Sequence, residues 1–158
     1  MKYWLMKSEP STFSIDDLAA APRRTTSWDG VRNYQARNML RDNMCKGDLA
    51  FFYHSSCDEP GIVGTVEIAR AGYPDPTAFD PTHLHHDPKS DRDAPRWFMV
   101  DVKLSQRFSR VISLDELRSH AAKRLAGMPI LRAGNRLSVT PVELAHWKFI
   151  VGLATQPT

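Results

Sequence analysis

Side chains that could recognise a ligand are concentrated in the segment Ser-Trp-Asp-Gly-Val-Arg-Asn-Tyr-Gln-Ala-Arg-Asn, which begins at Ser27. If the part after Trp28 is helical, Asn33 lies one turn before Arg37, and polar groups occupy nearly every face. An ordinary amphipathic helix has a cleaner apolar stripe. Although a core position is the commoner fate of a tryptophan, the polar density here favours a binding pocket beside Trp28.

A second group of reactive side chains lies where predicted strands end. The apolar run at residues 3–6 delivers Lys7 and Ser8 at its end, and the run at residues 49–53 is followed by His54. His54 and Ser55 do not form a nucleophile–base pair, because adjacent residues of a strand point to opposite faces, and no Gly-x-Ser-x-Gly motif is present. The sequence favours binding over hydrolysis.

Motifs for cofactors are not recognisable in the sequence. The eight glycines never have the spacing of a phosphate-binding loop, which makes nucleotide hydrolysis an unfavoured interpretation. The spacing of His83, His85, His86 and Asp87 matches no zinc pattern. We therefore expect no cofactor, no metal and no catalytic residue.

The bulk composition sets the class of protein. A chain of 158 residues fits a single domain, which we place at 1–158. Lys+Arg 21 against Asp+Glu 18 gives a net charge of +3, which permits a polyanionic partner without requiring one. Cys45 and Cys57 lack disulfide-scaffold spacing. With no signal-peptide or membrane-spanning pattern at its start, the chain is predicted to be a cytoplasmic monomer, or nuclear in a eukaryote, without a membrane partner.

Periodicity and capping signals predict short helices among strands. Helices are expected where capping boxes stand, from Ser14 to Ala20, from Ser113 and from Thr140, and in the segment after Trp28. Period-2 alternation and apolar runs predict the strands 3–6, 49–53, 62–70 and 98–104, with 25–28 extended.

Two features of the predicted strand 98–104 and its surroundings bear on a binding site. The alternation of that strand places Trp97 opposite its aliphatic row. Before it, residues 72–96 contain five prolines and no periodicity, which is typical of a lid or a binding loop.

Long motifs connect the whole sequence to a known family. The chain closely resembles the EVE domain family in Tyr3–Pro10, Trp28–Asn38, Gly47–Asp48, Phe52–Ser55, Gly61–Gly64, Asp87–Ser90, Arg96–Trp97 and Arg136–Val139. This resemblance implies a mixed α+β, PUA-like fold, a curled β-barrel of five to six strands edged by short helices. EVE domains look like relatives of the YTH domain, a reader of methylated adenine, and members have been linked to modified cytosine in DNA and to modified RNA.

The resemblance and the candidate residues together suggest a non-catalytic reader of a modified base. A base extruded from its stack would lie against Trp28, with Trp97 or Tyr53 as the other wall, since stacking contributes about 1–3 kcal/mol per base. The side chains expected to test the base edge are Ser8, Asn33, Asn38 and His54. Those expected to hold phosphates are Lys7, Arg32, Arg37 and Arg136, and His54 could do either.

Two alternatives remain open at this point. One is an enzyme acting on a modified base or nucleoside, with Lys7, Glu9 and His54 as acid–base groups. The other is a protein-interaction module that uses the loop at 72–96.

Overall fold

A mixed six-stranded sheet organises the computed structural model, which describes residues 1–155. The strands are β1 Tyr3–Ser8, β2 Thr25–Ser27, β3 Leu49–His54, β4 Gly61–Pro74, β5 Phe98–Ser113 and β6 Val139–Val142. Their order across the sheet is β2-β5-β4-β3-β1-β6. Only β1 and β3 pair in parallel, and every other neighbouring pair is antiparallel. The mixed α+β class with six strands is confirmed, and within the described residues the sheet is open, since its edge strands β2 and β6 do not pair.

Within residues 1–155, four α-helices border the sheet: α1 Ile15–Ala20, α2 Tyr34–Asn38, α3 Leu114–Ser119 and α4 Leu144–Thr155. Both halves of the predicted capping box at Ser14 are present at the start of α1. The chain continues from α2 into a π-helical turn, Met39–Asn43. None of the helices in residues 1–155 is long and apolar enough to cross a membrane.

Apolar side chains form two clusters, one on each face of the sheet. Trp4 and Met6 of β1 join one cluster with Phe52 of β3. Leu5 and Phe51, which are the alternate residues of the same strands, join the other. Because successive side chains of a strand point to opposite faces, this division fixes the direction of every residue at the ends of β1 and β3.

Two helix starts differ from the sequence prediction. The helix expected directly after Trp28 begins at Tyr34 instead, because the Asn33 side chain accepts the Ala36 N–H and caps it there. The capping box predicted at Thr140 is wrong: Thr140 lies in β6, paired with Leu5 and almost fully buried, and α4 begins at Leu144. A Thr-Pro-Val-Glu sequence fits a cap and an edge strand equally well, and pairing with β1 decides between them.

Strands β4 and β5 are longer than predicted. β4 continues to Pro74 and a 3-10 turn follows at Pro76–Phe79, so the irregular segment is shorter than the expected loop at 72–96. β5 extends to Ser113, directly before α3. The predicted domain 1–158 ends three residues beyond the described part of the chain.

Candidate functional site

A cavity opens where β1 and β3 end side by side. Lys7 is the register partner of Tyr53 in this parallel pair, and both residues line the cavity. Its volume is about 510 Å³, within the range of sites that hold small molecules. Other polar side chains on its wall are Ser55, Ser56, Arg118, Arg132 and Asn135.

The wall of this cavity is positively charged. Lys7, Arg118 and Arg132 line it, and none of its lining residues is a carboxylate. Lys7 is half-buried, and this burial lowers the pKa of its ammonium group. Tyr53 is only 3% exposed, and burial raises the pKa of its hydroxyl. The cavity therefore suits an anionic ligand.

Ser8 and His54 lie at the same ends of β1 and β3 but on the other face of the sheet. Ser8 Oγ donates to the Phe13 carbonyl oxygen at 2.6 Å. His54 Nε2 accepts the Ile15 N–H at 3.1 Å. Burial lowers the pKa of His54, and the bond from Ile15 commits one ring nitrogen to the start of α1.

Trp28 lies on this second face as part of the apolar cluster. Its ring packs edge-on against Phe52 at 5.4 Å between centroids, and Phe52 in turn meets His54 at 5.5 Å. Trp28 is 8% exposed. A base could stack on its ring only after the covering side chains move.

Stacked aromatic and cationic groups form a third arrangement around α2. Tyr34 stacks on Trp97 with centroids 4.9 Å apart. The Arg37 guanidinium lies over Tyr34 at 4.9 Å, and that of Arg32 lies over Trp97 at 5.4 Å. Tyr34 remains 51% exposed although it is a large aromatic residue.

Internal bonds hold this third arrangement in place. Trp97 Nε1 donates to Asp87 at 2.6 Å. Arg37 donates to the Arg96 carbonyl oxygen at 2.7 Å and to Asn38 Oδ1 at 2.9 Å. The stack is thus tied to the segment before β5.

The predicted site residues therefore fall into three groups rather than one pocket. Trp28 and Tyr53 belong to clusters on opposite faces of the sheet, so they cannot form two walls around one base. No aromatic ring contact joins Trp28 to Trp97 within residues 1–155. Arg136 is exposed and is not among the cavity-lining residues.

Five polar residues of the cavity wall are absent from the predicted site: Ser55, Ser56, Arg118, Arg132 and Asn135. The segments that carry Arg118, Arg132 and Asn135 are far from Lys7 in the sequence. The backbone bond from Lys7 N–H to the Ser138 carbonyl oxygen at 2.8 Å brings the chain after Asn135 alongside β1. Only Ser55, which directly follows β3, could have been found from the alternation of that strand.

The groups proposed for acid–base catalysis are separated by the sheet. Lys7 faces the cavity with Tyr53, whereas His54 faces the Trp28 side. Glu9 is exposed. A substrate bound to Lys7 in the cavity could not also reach His54.

Comparison with known proteins gives the family. The family model described as "EVE domain" matches residues 2–153. The chain belongs to the EVE domain family. Rat thymocyte nuclear protein 1 is 48% identical in an alignment 165 residues long, which covers 96% of this chain and 73% of the rat protein.

Two solved structures document the EVE fold of the chain. A Pseudomonas putida protein has a TM-score of 0.91 and 51% identity, covering 96% of this chain and 99% of its own. Human THYN1, solved in complex with DNA containing 5-methylcytosine, has a TM-score of 0.92 and 45% identity over 100% of both chains.

Proposed function

We propose that this protein binds nucleic acid carrying a modified base, and that the base is read at the shared end of β1 and β3. The match to human THYN1 carries the proposal, because that structure holds DNA with 5-methylcytosine and the likeness extends over the whole of both chains. A reader of this kind must take the base out of its stack, which costs a few kcal/mol. The ligand site must therefore be a concave surface next to cations that hold the backbone.

The cavity on the Lys7 side meets both requirements. Its volume of about 510 Å³ accommodates a base with its sugar. Tyr53 lines its wall, and Lys7 supplies a hydrogen-bond donor for the base or its phosphate. Arg118 and Arg132 are both exposed at the cavity. We propose that these two arginines contact phosphates and so fix the register without reading sequence.

The Trp28 face is the alternative place for the base. A base stacked there would be tested by Ser8 and His54, as the sequence suggested. Both side chains are committed to internal hydrogen bonds at 2.6 and 3.1 Å, and Trp28 is 8% exposed. The cavity on the other face is already open, with Lys7, Arg118 and Arg132 on its wall, and for this reason we favour it.

The stack on α2 supports a contact with a flanking nucleotide. Tyr34 is half-exposed beside the Arg37 guanidinium, and a planar cation over an aromatic ring is a surface on which a base can stack. Asn33 and Asn38 are exposed on the same short helix. Arg32 is less available, because it is bonded to Asp75 and to the His85 carbonyl oxygen.

The location of the base can be tested with one substitution on each face. Fluorescence anisotropy would give the affinity for labelled oligonucleotides that carry 5-methylcytosine or other modified bases. Lys7→Met keeps most of the length of the side chain but removes its charge, and should weaken binding of the modified strand. Trp28→Phe should leave that affinity within about twofold of the wild type, since its packing role tolerates a smaller ring with a modest loss of stability. The opposite pattern would place the base against Trp28.

The phosphate role of Arg132 has a separate signature. Arg132→Ala should weaken modified and unmodified strands alike and lower the salt slope of binding by about 1. Loss of affinity for the modified strand alone would make Arg132 a reader of the base instead.

We further propose that the protein acts by binding and not by catalysis. The separation of Lys7 from His54 by the sheet supports this, because no single substrate reaches both groups. Mass spectrometry of a modified oligonucleotide after incubation with the protein should find no change of mass. A new mass that requires Lys7 would instead assign an enzymatic activity to the cavity.

A further inference from the structure

Three metal-ligand side chains from distant parts of the chain meet beside the turn that follows Trp28. Asp29, His83 and His85 each present a ligand atom, and these three atoms all lie within 4.8 Å of one another. Two imidazoles and a carboxylate form a donor set suited to divalent transition ions such as Zn²⁺. His86 and Asp87, which follow directly in the sequence, are not part of the group.

The His85 ring has an unsatisfied nitrogen at this place. His85 Nδ1 is buried and has no hydrogen-bond partner within the described residues. A buried polar atom without a partner is uncommon and costs free energy. A cation or a water molecule that bridges the three side chains would give His85 Nδ1 a partner.

The position of the His85 ring is set by its neighbours. The ring lies against Gly30, where a Cβ atom would collide with it. Arg32 fixes the backbone, since its Nη2 and Nε donate to the His85 carbonyl oxygen at 2.6 and 3.1 Å. The imidazole is therefore held over the turn that carries Asp29.

We propose that Asp29, His83 and His85 bind a divalent transition-metal ion of the Zn²⁺ class, which clamps the segment between β4 and β5 to the turn after Trp28. Tetrahedral zinc with bonds of about 2.0–2.2 Å has its ligand atoms about 3.4 Å apart. Since the three atoms already lie within 4.8 Å of one another, they need to close by at most about 1.4 Å around the ion. Three protein ligands leave a further position for water or an anionic oxygen.

Metal binding must break one hydrogen bond, which provides a spectroscopic reporter. The His85 N–H donates to His83 Nδ1 at 3.0 Å. If the ion is bound by Nδ1 of His83, it takes the lone pair that accepts this bond. If it is bound by Nε2 of His83, the ring proton moves to Nδ1, which then can no longer accept the bond. In either case the amide signal of His85 shifts on metal binding.

Calorimetric titration of the tag-free protein with Zn²⁺ tests the proposal. We expect one ion per chain, and no comparable binding of Mg²⁺, which prefers oxygen ligands. His85→Ala and Asp29→Asn should each weaken Zn²⁺ binding by at least about tenfold, the lower end of what even outer-shell substitutions cost at metal sites. Asp29→Asn nearly preserves the shape of the side chain, so its effect does not depend on a disturbed fold.

His86→Ala is the matched control. His86 lies next to His85 in the sequence but outside the ligand group, so its removal should leave Zn²⁺ affinity and the shift of the His85 amide unchanged. Three results would overturn the proposal: no Zn²⁺ binding, equal losses in His86→Ala and His85→Ala, or binding that does not move the His85 amide signal.

Discussion

Asp75 connects the segment after β4 to the turn after Trp28, and its replacement is predicted to destabilise the fold strongly. The side chain is fully buried. It accepts the Gly30 N–H at 2.9 Å, and the Thr77 N–H and hydroxyl at 2.9 and 2.6 Å. It also pairs with Arg32 at 3.1 Å. Asp75→Ala removes all four interactions at once.

The expected loss is about 3 kcal/mol in the free energy of unfolding. Breaking a buried ion pair by removing one partner costs about 3–5 kcal/mol, and the lower end applies here because the Arg32 side chain is 24% exposed and can be partly solvated. For a chain of this length, about 2–4 °C is lost per kcal/mol. The melting temperature should therefore fall by about 6–12 °C.

Asp80→Ala is the control for this measurement. Asp80 is exposed in the same segment, and its side chain accepts hydrogen bonds only from Thr82 within the described residues. Its loss should cost less than about 1 kcal/mol, as is usual for surface positions. Calorimetry and urea unfolding would measure both variants. If Asp75→Ala costs no more than Asp80→Ala, the buried network does not stabilise the fold as argued.

The difference in free energy of unfolding between wild type and Asp75→Ala should depend on pH. Burial alone would raise the pKa of Asp75, but the hydrogen bonds from Thr77 and Gly30 and the bond from Arg32 outweigh it and lower the pKa. Because the unfolded state then binds the proton more tightly, the stabilisation is fully present above the unfolded pKa of about 3.9. This stabilisation is lost as the pH falls through the lower pKa that Asp75 has in the folded state. The difference in free energy of unfolding between wild type and Asp75→Ala should therefore narrow in acid. A difference in free energy of unfolding that widens in acid would contradict a lowered pKa of Asp75.

Three further substitutions test the packing around the site, each by thermal unfolding. Gly64→Ala should destabilise by about 1–3 kcal/mol, because its Cβ would collide with the Gln106 carbonyl oxygen; an unchanged melting temperature would show that β4 and β5 can move apart. Gly152→Ala should stabilise by up to about 1 kcal/mol, since it lies within α4 with no atom near a Cβ; a loss would contradict the open space. Trp4→Phe should cost about 2 kcal/mol, because it leaves buried Asp48 without the indole N–H at 3.1 Å; a neutral effect would mean that water replaces this bond.

Local signals in the sequence were sufficient for much of the fold. The Ser14 capping box, the apolar run of β3 and the alternation along β4 and β5 predict elements that the structure contains. Local signals failed where a contact between residues distant in the sequence determines the secondary structure. Thr140 has a cap pattern, but its place in β6 follows from pairing with Leu5.

The candidate site illustrates the same limit. Lys7 and Ser8 are neighbours in sequence, as are Tyr53 and His54, and each pair divides between the two faces of the sheet. Strand alternation could have separated them in advance, because it places Lys7 and Tyr53 on the same face. The arrival of Arg132 at the cavity could not be predicted from the sequence alone, since it depends on how the segment before β6 returns to β1.

The central claim is tested most directly by the affinity ratio between two DNA duplexes that differ in a single 5-methyl group, measured at two salt concentrations. Contacts to phosphates weaken equally for both duplexes as salt rises. Recognition of the methyl group in the cavity should favour the modified duplex by about tenfold or more, and this ratio should persist at both salt concentrations. Equal affinities at both concentrations would contradict a role in reading 5-methylcytosine and leave only binding to the backbone.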